Sequence, residues 1–123
     1  MYRNHSLKEA FHNAYQGFRY VLTTQRNAKI HTVITVIVVV LGFFFHISSV
    51  EWTVILLAIG LVWTSECLNT GLEKITDLVS PEYNGLAKVT KDTAAAGVLL
   101  ASLTAAIIGV IIFLPKVLVL LHL

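Results

Sequence analysis

The chain has 123 residues, of which 56% are hydrophobic and 13% charged, with two prolines and a formal net charge of +2 at pH 7. This is far more apolar than a soluble domain, and so weak a charge balance gives no footing for a nucleic-acid partner. The lone Cys67 excludes an internal disulfide and reads as a packing residue. The expectation is one small all-α integral membrane domain over residues 1–123, with lipid as the solvent for much of its surface.

From Ser6 to Thr24, apolar and small residues recur at Phe11, Ala14, Phe18, Val21 and Leu22 while basic residues occupy other faces. This spacing predicts an amphipathic surface helix, over about 6–27. A long polar segment precedes the first apolar run and no cleavage-like site follows promptly, so the stretch is not expected to be a removable signal peptide. Its cations, Arg19 among them, attract anionic lipid headgroups, and Arg19 is also a candidate contact for the substrate.

Three spans follow, each compared with the roughly 20 apolar residues that cross a bilayer. The first, about 28–47, is built on Thr32 to Phe45. The second, about 50–78, contains Trp52 to Leu68 and carries polar residues at its inner end. The third, about 92–114, begins near Thr93 and is expected to stop at Pro115, which disfavours helix at the residue before it. The tail from Val117 to Leu121 is too short to cross again. Small residues from Ala94 to Gly97 and at Ala101, Ser102, Ala105 and Gly109 let the third span approach other helices closely. Trp52 reads as an interface anchor and Trp63 as packing.

Basic residues set the orientation. Arg3, Lys8, Arg19, Arg26 and Lys29 precede the first span, the turn from His46 to Glu51 has no Lys or Arg, and Lys74, Lys88 and Lys91 follow the second span. The N-terminus and the connection after span two are thus expected in the cytoplasm, and the C-terminus outside.

The second span holds the chemistry. Glu66, Asn69, Glu73 and Asp77 share one face at 100° per residue, with Thr70 beside them. An ionisable side chain within a span is costly and marks a functional site by default. Counted from Trp52, Glu66 lies about 21 Å along the helix, and Glu73 about 10 Å beyond Glu66. That spacing could join a membrane-embedded hydroxyl to a cation held with a nucleotide on the cytoplasmic side. The bland alternatives are interhelical hydrogen bonding by Glu66 with Glu73 and Asp77 merely solvated, and, for Lys91 and Asp92, a simple helix entry. A non-enzymatic oligomer, ion-conducting or an interaction module, is the competing class.

The pattern Glu66-x-x-Asn69-x-x-x-Glu73-x-x-x-Asp77, then Glu82-Tyr83, then Lys91-Asp92-x-Ala-Ala, resembles the small prokaryotic diacylglycerol kinase family, which includes the undecaprenol kinases. The resemblance covers almost the whole chain. It implies a homotrimeric enzyme of the bacterial inner membrane, with sites between protomers, that moves the γ-phosphoryl group of ATP, with Mg²⁺, onto a lipid alcohol. Carried over by position, Glu66 would be the base on the lipid hydroxyl and Glu73 a metal ligand. Asn69, Asp77, Lys91 and Asp92 would position ATP, and Glu82 and Tyr83 would touch the nucleotide. Mg²⁺ takes oxygen ligands and is commonly held by one or two carboxylates plus phosphates, so no closed protein cage is needed. Walker-type and protein-kinase signatures are absent from the sequence.

One position departs from the family. Its usual Glu-x-Asn-x-x-x-His pattern, whose carboxylate is a second metal ligand, reads here Gln25-Arg-Asn27-Ala-Lys-Ile-His31. A Gln carbonyl can still ligate a hard cation, but the lost charge should weaken Mg²⁺ binding and slow transfer. It is a variation offset elsewhere, a change in metal handling, or an inactivating change. His31 itself reads as an interfacial packing or hydrogen-bonding residue, and His5, His12, His46 and His122 lack the close pairing of a zinc site. The turn at Phe45-His46 and the ending Ile112-Phe113-Leu114-Pro115-Lys116 look closer to the undecaprenol branch than to the diacylglycerol branch.

Overall fold

A computed structural model describes residues 6–123. Arg3 and His5, named above, lie outside the described residues. All regular structure among them is helical: α1 (Leu7–Thr24), α2 (Arg26–Phe44), α3 (Ser49–Val79) and α4 (Gly85–Leu120). The last three are long and apolar enough to cross a membrane. The architecture is therefore the all-α one that hydropathy predicts, an amphipathic helix ahead of three membrane-length helices.

Local sequence signals explain the helix ends. Ser6 and Glu9 form a capping box at α1, and Ser48 and Glu51 form another at α3; each satisfies backbone N–H groups that the first turn leaves open. Asn84 caps α4 by accepting from the N–H groups of Leu86 and Ala87. At the end of α2, His46 adopts φ 50°, its N–H reaches the Phe43 carbonyl, and the Ile47 N–H reaches that of Gly42. This is a Schellman closure, and His122, at φ 58°, ends α4 in the same way. Two of the histidines are thus helix terminators.

Helices α3 and α4 form the main packed pair, joined by the short linker 80–84. Ile47, Ile55, Ile112 and Phe113 make an apolar cluster at the end of the pair remote from that linker. Trp52 lies across Gly42 so closely that a Cβ there would sit 2.5 Å from the indole ring. Trp52 is therefore a packing residue between α2 and α3. Beside it, Lys116 Nζ donates to Glu51 Oε2 at 2.7 Å and closes the two ends together.

One expectation for α4 and one bland alternative are corrected. Pro115 does not end the helix, which continues to Leu120. Proline removes a single N–H, and the Lys116 ammonium donates to the neighbouring Ile112 carbonyl at 3.3 Å. Nor do Lys91 and Asp92 mark a helix entry, because α4 already begins at Gly85 and carries both residues within it.

On α1, Leu7, Phe11, Tyr15 and Phe18 form one exposed apolar stripe, while Val21 is buried against the bundle. Phe18 also meets Trp63 of α3 edge-on, with ring centroids 5.3 Å apart. The helix is docked at its C-terminal end and offers the stripe outward, as a helix lying in a membrane interface does.

Candidate active site

The α3 stripe runs from a dry end to a wet end. Glu66 is 1% exposed, Asn69 and Thr70 are buried, Glu73 is half-buried, and Asp77 is exposed. Thr70 donates to the Glu66 backbone carbonyl at 2.9 Å, and Asn69 Nδ2 reaches Glu73 Oε1 at 3.4 Å. Glu66 Oε2 and Asn69 Oδ1 are buried without a hydrogen-bond partner. Such atoms are costly, so oxygens kept in this state await a donor.

His31, a packing or hydrogen-bonding residue by sequence, joins the dry end. His31, on α2, brings Nε2 to 3.5 Å from Glu66 Oε2. Its ring meets Trp63 edge-on at 6.0 Å between centroids, and the Trp63 indole N–H donates to Thr35 Oγ1 at 3.1 Å. No periodicity could have revealed this approach, because positions 31 and 66 lie on different helices.

At the wet end, five of the nucleotide candidates gather. Asp77, Glu82, Tyr83, Lys91 and Asp92 line one concavity between the end of α3, the linker and the start of α4, where Lys88 joins them. Lys91 pairs with Asp77 across the two helices, and Lys88 pairs with Asp92 at 2.6 Å one turn apart. Two ammonium groups facing one concavity are of the type that pairs with phosphate oxygens, and here each is held by a carboxylate. Lys88 is a residue the sequence reading left as a topogenic charge only.

Gln25 and Arg19 stand apart. Gln25 joins α1 to α2 in an extended conformation, its Nε2 donates to Thr24 Oγ1 at 3.3 Å, and no hydrogen bond links it to Glu73. Arg19 lies on the exposed surface of α1. Nearby, Lys74 of α3 sits 5.6 Å from the Tyr20 ring centroid and lowers the Tyr20 phenol below its ordinary pKa. Among the described residues no three His, Cys, Asp or Glu side chains gather as a metal cage. The Glu73 carboxylate and the unpartnered Asn69 Oδ1 are nevertheless hard oxygen donors, the type that Mg²⁺ takes alongside phosphate oxygens.

An apolar cavity of about 180 Å³ opens above His31 between α2, α3 and α4, lined by Thr35, Ala58, Val62 and Ala105 among others. It leads along the bundle from the Glu66 end.

Comparison with known proteins accords with this layout. Residues 12–113 match the family described as prokaryotic diacylglycerol kinase. The chain is 37% identical over 108 residues to an undecaprenol kinase of Bacillus subtilis (strain 168), covering 88% of both chains. It is 40% identical over 114 residues to a diacylglycerol kinase of Synechocystis sp., covering 92% of this chain and 65% of that longer relative. With a family match over residues 12–113 and relatives aligned across most of the chain, the protein belongs to the prokaryotic diacylglycerol kinase family of membrane lipid kinases.

Proposed function

We propose that this lipid kinase transfers the γ-phosphoryl group of ATP directly to a membrane lipid alcohol, with Glu66 as the base. Undecaprenol is the favoured acceptor and diacylglycerol the next. The observation that carries the reading is Glu66, a carboxylate 1% exposed within a membrane-length helix, at the head of a stripe that ends at the Asp77–Lys91 pair.

In this reading the lipid hydroxyl reaches Glu66 from the membrane side, and its proton passes to the carboxylate. The hydroxyl oxygen forms a bond to the γ-phosphorus as the bond to the bridging oxygen breaks and ADP leaves. Phosphoryl transfer demands positioning and charge stabilisation more than covalent participation by the protein. Lys91, Asp77, Asp92 and Asn69 orient the nucleotide and its phosphates, and Glu82 and Tyr83 hold it from the linker. Glu73, with Gln25 or Asn69 as a neutral oxygen donor, would hold Mg²⁺, which supplies charge neutralisation at the phosphates when bound. Arg19 serves the lipid side, on the interfacial helix. The assembly is a homotrimer with sites between protomers in the cytoplasmic membrane, N-terminus and active site facing the cytoplasm. Support for undecaprenol comes from a match that runs over 88% of both chains. Membership of a kinase family leaves the non-enzymatic alternative without support.

The test is transfer from labelled ATP in mixed micelles with Mg²⁺ and either undecaprenol or diacylglycerol. Phosphorylated undecaprenol is expected at the higher kcat/KM. Glu66→Gln should lower kcat by about 10²- to 10⁴-fold while the oligomer persists, the range for loss of a general base. Turnover retained by that variant would remove Glu66 from the role.

A further inference from the structure

We propose that His31 is a positioning residue for Glu66, presenting one carboxylate oxygen to the lipid hydroxyl by holding the other. The inference rests on the reading of Glu66 as base. His31 Nε2 and Glu66 Oε2 lie 3.5 Å apart, and both are buried without a hydrogen-bond partner. Each is the nearest remedy for the other: an imidazole N–H can donate, and a carboxylate oxygen can accept. The separation exceeds a formed hydrogen bond, which has a donor–acceptor distance of about 2.7–3.2 Å. Catalytic hydrogen bonds are commonly long in unliganded sites and tighten when the substrate binds.

His31 is itself held in place. Trp63 packs edge-on against its ring, the Trp63 indole N–H is anchored on Thr35 Oγ1, and Thr35 Oγ1 donates back to the His31 carbonyl at 2.6 Å. Phe18 of α1 braces the same indole. The imidazole is therefore oriented by three helices, and a small closure of α2 on α3 suffices to form the bond. With Nε2–H on Oε2, Oε1 is left to accept the lipid proton. The arrangement uses the logic of a third group orienting a catalytic base, here with imidazole orienting carboxylate. His31 touches no reacting atom in this scheme.

The experiment compares His31→Leu, of similar volume without a donor, with His31→Gln, whose amide N–H replaces the imidazole donor. Both are made in the full chain and assayed in mixed micelles with MgATP and undecaprenol, with assembly checked by size exclusion. His31→Leu is expected to lower kcat about 10- to 100-fold, as loss of an orienting partner does, with the KM for ATP little changed. His31→Gln should recover most of that loss. Combined with Glu66→Gln, His31→Leu should add almost nothing to the residual rate, because groups acting as a unit are non-additive. Wild-type kcat in His31→Leu, no recovery in His31→Gln, or a full multiplicative loss in the double variant would each overturn the proposal. The two readings separate cleanly: activity retained by Glu66→Gln removes the base, whereas an inactive Glu66→Gln beside a fully active His31→Leu removes only the positioning role.

Discussion

Gln25 shows how a backbone role and a side-chain role part company at one residue. Its backbone N–H caps α1 by donating to the Val21 carbonyl at 3.1 Å, and its extended conformation turns the chain into α2. Neither duty needs the amide. Restoring the carboxylate with Gln25→Glu should therefore leave the fold unchanged and act on the cation alone. An added negative charge near a divalent ion is worth about 1 kcal/mol at a partly screened site, or about fivefold in affinity. The expected result is a Mg²⁺ titration of turnover shifted about fivefold to lower concentration, and an unshifted titration would show that position 25 holds no metal. The stripe of Glu66, Asn69, Glu73 and Asp77 was legible in the sequence because helical periodicity alone aligns it. The family pattern marks His31 as a position, but its partner Glu66 and the place of Lys88 in the concavity were not legible, since both depend on proximity across helices.

At the scale of elements, hydropathy located all three membrane-length helices because apolar run length is the dominant signal for a segment in lipid. The ends of α4 were harder. Its first turns, from Gly85 to Lys91, are too polar to resemble a span, yet Asn84 caps them and they extend the helix beyond the apolar run. Pro115 reads as a stop by a rule drawn from chains with water nearby. In lipid, a broken helix would expose backbone groups with no partner, so one lost N–H is the lesser cost. Gly42 offers the sharpest test of helix packing. A methyl group there would stand 2.5 Å from the Trp52 ring, forcing α2 away from the start of α3. Gly42→Ala should destabilise the protein by about 1–3 kcal/mol, the usual cost of overpacking, read as a lower Tm in detergent. Gly17→Ala is the control, because nothing lies within 4 Å of its added Cβ. An unchanged Tm in Gly42→Ala would mean that Trp52 swings clear.

For the whole molecule, the distribution of apolar surface bears on assembly. Outward-facing Val33, Val36, Val40, Leu100, Ile107 and Ile111 leave α2 and α4 apolar on faces that α3 does not cover. Lipid can cover such faces, and so can a second copy, for which the small residues of α4 allow close approach. The site gives a reason to prefer the copy. Within one chain the described acidic and imidazole groups gather into pairs and do not form a cage, and Gln25 makes no bond to Glu73. One or two carboxylates with phosphate oxygens hold such a cation, and in the homotrimer proposed above a neighbouring protomer is a source of the second donor. For the homotrimer proposed above, native mass spectrometry from micelles is expected to report three chains. Turnover per chain should fall in parallel with the trimer fraction as detergent is raised to dissociate it. A monomer that keeps full turnover per chain would rule out a shared site, because every donor would then have to come from one α2–α3–α4 bundle.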